Sequence, residues 1–157
     1  METAQWIQLG TVIVALLALG ISLGNTARSR VKQIEDDYVR RYWSILDKMP
    51  SDALVNSRPR RTSREARRAA RLYLRLCEDE MELRAMGWVG KRTWTEWRSG
   101  IRAQLQQWPI DEEWERIRNG DLEARTRDQF KELKKLHSDP CHDPCKHRFI
   151  VRKWRGL

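Results

Sequence analysis

All three histidines of the chain, and two of its three cysteines, fall in one run: His137-Ser-Asp-Pro-Cys141-His142-Asp-Pro-Cys145-Lys-His147. The unit Asp-Pro-Cys occurs twice, at 139–141 and 143–145. Proline fixes the backbone at each turn and projects the sulfurs from a constrained frame. Structural zinc takes Cys and His ligands and often includes a C-x2–4-C element. Cys141 and Cys145 supply C-x3-C, and His137 with His147, or with His142 in its place, would complete a Cys2His2 set. Zinc sites usually place two ligand pairs on either side of a longer loop, whereas these candidates all lie within eleven residues. The spacing therefore leaves several readings open: a compact cage, a metal shared by two copies, redox or lipid chemistry at one thiol, or a polar Pro-rich tail with no joint role. From Lys146 to Arg155 basic residues interleave with Phe149, Ile150, Val151 and Trp154. That composition suits a membrane surface, an ordering partner, or a chain end packed on the domain.

A second constellation is cationic. Arg58, Arg60, Arg61, Arg64, Arg67, Arg68 and Arg71 fall within fourteen residues, with Glu65 the only acid among them. Positive charge at a helix N-terminus opposes the macrodipole by roughly 0.3–1 kcal/mol per group. Like pairs such as Arg64–Arg68 and Arg67–Arg71 add to that cost. The second half of the same predicted helix carries Glu78, Asp79, Glu80 and Glu82 and is also charged against the dipole. Such an arrangement implies that the charges serve a partner or a neighbouring element. Anionic lipid headgroups would draw about 1 kcal/mol from each nearby Lys or Arg. Nucleic acid would engage the arginines through phosphates, but no helix-turn-helix or RNA-binding aromatic motif accompanies them. A third reading is a solvated face paired with the acidic half of another helix or of another copy.

Motifs for catalysis are missing. There is no glycine-rich phosphate loop, no H-E-x-x-H and no nucleophile elbow. Glu78 and Glu82 share a helix face and read as ordinary helix surface. Cys77 borders an apolar stripe and reads as a buried, inert thiol. An enzyme is not expected.

The elements that must position these residues are all helical. Val31, Ile34, Tyr38, Ile45 and Met49 recur at helical spacing over about 29–49, and Pro50 ends the run. Residues 50–62 read as a linker. Ala69, Leu72, Tyr73, Leu76, Leu83 and Met86 form a stripe over 63–86, opened by a Thr62-x-x-Glu65 capping box and closed by Gly87. Trp94, Trp97, Ile101, Leu105 and Trp108 share a face over 94–108, behind a Thr93-x-x-Glu96 box and before Pro109. A short helix over 111–118 starts with three acids, which suit its positive end. A last one over 121–136 carries Leu122, Phe130, Leu133 and Leu136 inward. No strand alternation of useful length appears.

The N-terminal stretch from Thr3 to Ala27 has no charge and is apolar from Trp6 to Leu23. About 20 such residues in a helix cross a hydrocarbon core about 30 Å thick. Arg28, Arg30 and Lys32 follow it and no Lys or Arg precedes it, so the positive-inside rule puts the N-terminus outside and residues 28–157 in the cytoplasm. A cleaved signal peptide would need a basic n-region and a small-residue cleavage site, and neither is seen. Gly20 and Gly24 form a G-x-x-x-G that allows either a homodimer seam or a flexible exit from the bilayer, with a bend at Gly24 and Asn25. All 31 basic residues and all but one of the 22 acidic ones lie beyond the span, which gives that part a surplus of ten positive charges. An odd number of cysteines argues against a disulfide framework.

The segment Tyr73-Leu-Arg-Leu-Cys77-Glu-Asp-Glu80, with Gly87, Trp94, Trp97 and Gly100-Ile101, resembles a pattern in uncharacterised bacterial single-pass membrane proteins that have an N-terminal anchor and a short helical cytoplasmic part. The resemblance covers about 65–115, implies a bacterial plasma-membrane protein, and carries no activity; the Cys/His tail is not part of it. The expected architecture is all-α. It comprises an anchor (1–27, span about 6–23), a juxtamembrane helix (28–49), a linker (50–62), a helical bundle (63–136) and a basic Cys/His tail (137–157). The expected function is a non-enzymatic, single-pass plasma-membrane protein whose basic domain binds a protein partner or the anionic inner leaflet. The alternatives are a membrane-tethered zinc-binding regulatory module and a membrane-associated nucleic-acid binder. No cofactor other than zinc is implied.

Overall fold

A computed structural model describes residues 2–55, 57–120 and 128–145. Every regular element among them is helical: α1 (Glu2–Leu46), α2 (Ser51–Leu54), α3 (Arg64–Met86), α4 (Lys91–Gln104), α5 (Ile110–Asn119), a 3-10 turn (Asp128–Phe130) and α6 (Lys131–Ser138). The chain divides into two compact units, Met1–Ile34 and Glu35–Leu157.

The first unit is a stretch of α1. Among the described residues the one helix long and apolar enough to be a candidate membrane span is the Val12–Leu46 part of α1. The large apolar side chains from Val12 to Leu23 are bare: Val14 is 66% and Leu23 63% exposed. The bend that Gly24 and Asn25 allow is not taken, and the helix runs on through both residues. Glycine costs a helix interior about 1 kcal/mol but does not forbid it. Thr26 Oγ1 donates to Ser22 O at 2.9 Å across this point, so the side chain bonds back into the same turn. A Cβ at Gly20 or Gly24 would meet no atom within 4 Å.

The second unit has its own core. Ile45 and Met49, at the end of α1 and just after it, join Tyr73, Leu74, Cys77 and Met81 of α3. Trp94 and Ile101 of α4, Trp114 and Ile117 of α5, and Leu133 and Leu136 of α6 complete it. Tyr38 stacks on Trp97 with ring centroids 6.0 Å apart, and Tyr42 meets Tyr73 edge-on at 6.1 Å. Trp114 meets Phe130 edge-on at 6.4 Å. The expected stripes are thus largely the observed core, except that Leu72 and Met86 are exposed.

Helix boundaries show where local signals compete. The cap of α3 is Ser63, whose Oγ accepts from Ala66 N at 3.0 Å; Thr62 is drawn instead to α5, where its hydroxyl donates to Glu112 and accepts from Trp108 Nε1. The expected Thr62–Glu65 box therefore does not form. Helix α4 starts three residues before Trp94, with Gly90 as its cap, and Glu35 Oε1 accepts the Gly90 N–H at 3.3 Å. Thr93 lies inside the first turn and caps nothing. The same helix ends at Gln104 rather than Trp108; beyond it the ladder tightens to i−3 bonds, with Gln106 N donating to Ala103 O at 3.2 Å and Gln107 N to Gln104 O at 3.0 Å. The linker contains the single turn α2. Gly87 and Gly120 adopt φ 78° and 80°, left-handed values that glycine reaches without a steric penalty; Gly87 closes α3 as expected, and Gly120 closes α5. Of the last expected helix, 121–127 lie outside the described residues, and α6 begins only at Lys131.

Candidate functional site

The seven arginines divide into two groups. Arg58 pairs with Asp111 and lies 3.8 Å from Glu112. Arg71 Nε donates to Glu113 Oε1. Glu113 is 1% exposed, and its Oε2 has no partner among the described residues. The acidic first turn of α5 thus does two jobs: it complements its own helix dipole and it receives two arginines from the α3 region. Arg60, Arg61, Arg64 and Arg68 are exposed and Arg67 is half-buried; none of the five makes an ion pair among the described residues. They form a cationic surface at the start of α3.

The acidic half of α3 is more structural than its sequence suggests. Glu78, expected on the surface, is 7% exposed. Its two oxygens accept the N–H groups of Glu132 and Leu133, both at 2.9 Å, and so cap the first turn of α6. Burial raises its pKa, and the two backbone hydrogen bonds pull partly against that rise. Glu80 is equally buried, and burial, then the charge of Asp79, pushes its pKa up to about 8. The Cys77 thiol is fully buried, and burial raises its pKa well above the usual thiol value, which keeps it in the unreactive thiol form.

The Cys/His tail is docked as far as Cys145. Each Asp-Pro-Cys unit closes the same small turn: Cys141 N donates to Asp139 Oδ1 at 2.9 Å, and Cys145 N to Asp143 Oδ1 at 3.0 Å. Pro144 is buried. Asp143 is gripped by Arg84, whose Nε and Nη2 each donate at 2.9 Å to one carboxylate oxygen. Arg84 Nη1 donates to Val89 O at 2.8 Å, so this fully buried guanidinium is held on three sides. Arg98 Nη1 donates to Cys141 O at 3.0 Å.

The expected metal ligands are placed as follows. His137 Nδ1 accepts from Trp114 Nε1 at 3.2 Å, and its Nε2 lies 2.8 Å from Arg118 Nη1. His142 Nε2 lies 2.7 Å from Glu132 Oε2. Burial raises Glu132, but hydrogen bonds from Lys135 and His142 outweigh it and hold its pKa below the usual carboxylate value. Cys141 is exposed and Cys145 half-buried, and His147 lies outside the described residues. Among the described residues no three His, Cys, Asp or Glu side chains gather in a metal-binding group.

Arg84, Glu80 and the depth of Glu113 are not legible from spacing, because each depends on an element far away in sequence. The repeated Asp-Pro-Cys was the one local sign that Asp143 is held. No protein-family model matches the chain, and no curated protein or solved structure matches it either.

Proposed function

We propose that the chain is a non-enzymatic, single-pass membrane protein of the plasma membrane. Its N-terminus lies outside, and its helical domain forms a cytoplasmic bundle that binds an anionic surface. The partner is an acidic protein face or the inner leaflet. The observation that carries this reading is the division among the arginines. Two are consumed by α5, while Arg60, Arg61, Arg64, Arg67 and Arg68 remain without an ion pair among the described residues. Evenly spread solvation charges would not concentrate on the helix end whose dipole they oppose. The bare apolar surface of Val12–Leu23 supports the anchor, since a contiguous patch of that kind is seldom left in water.

The test uses the full chain in proteoliposomes, with Glu65→Cys as a reporter in a Cys141→Ser/Cys145→Ser background. The thiol's reaction rate with a water-soluble maleimide is compared in neutral lipid, in lipid with about one-third phosphatidylglycerol, and at low and high protein density. Protection by the anionic lipid identifies the leaflet, and protection that follows protein density identifies a protein face. Equal rates throughout would overturn the reading. Orientation is read separately: an impermeant maleimide applied to intact expressing cells labels Thr3→Cys if the N-terminus is outside.

A further inference from the structure

The outward stripe of α3 is divided by charge. Arg64, Arg68, Arg71, Arg75, Asp79 and Glu82 follow one another at steps of three or four residues, which sets them on one helix face. All are exposed except Asp79, which is half-buried, and Leu72 sits beside them, 37% exposed. The N-terminal part of the stripe is all cationic and the C-terminal part all anionic. Arg71 is turned to Glu113; Arg64, Arg68, Arg75, Asp79 and Glu82 make no ion pair among the described residues. Arg75 and Asp79 stand four apart, the spacing at which opposite charges on one helix can pair, yet they do not.

We infer that the anionic surface met by these arginines is the acidic half of α3 on a second copy of the chain. This rests on the reading of the arginine face given above and names its partner. A stripe that is positive at one end and negative at the other is complementary to itself when reversed. An antiparallel pair is therefore isologous, as a two-fold dimer requires. Centred between Leu72 and Arg75, it sets Asp79 opposite Arg68 of the second copy and Glu82 beside Arg64, and each of these contacts occurs twice. Leu72 of each copy meets the aliphatic stem of the opposing Arg75, which places the exposed apolar residue at the middle of the interface. A parallel pair would set like charge against like along the whole stripe, so the charge pattern fixes direction as well as partner. The helix is long enough for this, since 23 residues span about 34 Å.

The experiment is a charge swap in the full chain, solubilised in a neutral detergent. Leu72→Cys in a Cys141→Ser/Cys145→Ser background reports the pair through a short bismaleimide cross-link, because position 72 lies near the two-fold axis. Wild-type charges should cross-link, and less so in high salt, which screens exposed pairs. Arg64→Glu/Arg68→Glu alone and Asp79→Arg/Glu82→Arg alone should each weaken dimerisation by about tenfold or more, as like charges replace opposite ones. Mixing the two variants should restore the cross-link between unlike copies, and the quadruple variant should restore it between like ones. Such rescue also shows that the variants fold. No cross-link with wild-type charges, no effect of either reversal, or loss in both without rescue on mixing would overturn the inference. Loss on reversing the arginines but not the acids would overturn it too, while leaving the arginine face with a different anionic partner.

Discussion

Arg84 has none of its surface exposed, and it holds Asp143, 59 residues away, through two parallel hydrogen bonds of 2.9 Å. A buried guanidinium is tolerable only when its charge and its donors are answered, and Asp143 with Val89 O answers both. The contact fastens the second Asp-Pro-Cys turn to the end of α3 and gives the tail a defined path as far as Cys145. Asp143→Ala is expected to destabilise the domain by about 3 kcal/mol, because it leaves the guanidinium uncompensated. Arg84→Lys should not substitute, since an ammonium cannot reach both carboxylate oxygens in fork geometry. Thermal unfolding followed by Trp fluorescence in detergent measures both; a shift in stability under about 0.5 kcal/mol for Asp143→Ala would show that the clasp contributes little.

Glu78 caps α6 from another helix. Glu78→Ala removes the acceptor of two N–H groups and should cost about 1–2 kcal/mol. The loss should be local first, so amide exchange at Glu132 and Leu133 is expected to accelerate before that of the α3 interior. Uniform acceleration across the domain would contradict a capping role.

Glu80 makes the domain sensitive to alkali. Its folded-state pKa of about 8 lies above the ordinary value of 4.5, with burial the main cause. The folded chain therefore retains a proton that the unfolded chain releases in between. The stabilisation is complete below pH 4.5 and is lost as pH rises through about 8, with a slope approaching about 1.4 kcal/mol per pH unit inside that window. The groups around it are Tyr38, Tyr42, Tyr73, Cys77 and Asp79, none of which supplies positive charge. Glu80→Gln should flatten the decline in melting temperature between pH 6 and about 8 and leave stability near pH 4.5 almost unchanged. An identical pH profile in the variant would remove Glu80 as the cause.

Ser63 caps α3 in place of the expected Thr62, whose hydroxyl bonds to Glu112 and Trp108 instead. Ser63→Ala should cost about 1 kcal/mol through the lost cap of α3. Thr62→Val removes no cap; it strands Trp108 Nε1 and should quench or shift the emission of that indole while helix content stays constant. Circular dichroism and fluorescence on the two variants separate the effects.

How much was readable from the sequence followed the range of the determining forces. Apolar periodicity and glycine stops act within a few turns of chain. The helices and most of the core, from Ile45 and Met49 to Leu133 and Leu136, could therefore be read in advance, as could the apolar stretch before Arg28. Local signals failed where two of them competed. Thr62 and Glu65 have the spacing of a capping box, yet Glu112 and Trp108 take up the Thr62 hydroxyl and Ser63 caps α3. Gly24 and Asn25 permitted a bend that the helical hydrogen-bond ladder of α1 does not take. Residue types alone identified the arginine cluster and the Cys/His run as unusual. Tertiary structure decided which arginines α5 takes up, that Glu78 serves α6, and that Asp143 belongs to Arg84. Each of those pairings joins residues more than 40 positions apart, and burial, which sets the cost of leaving a charge unanswered, exists only once the helices have packed.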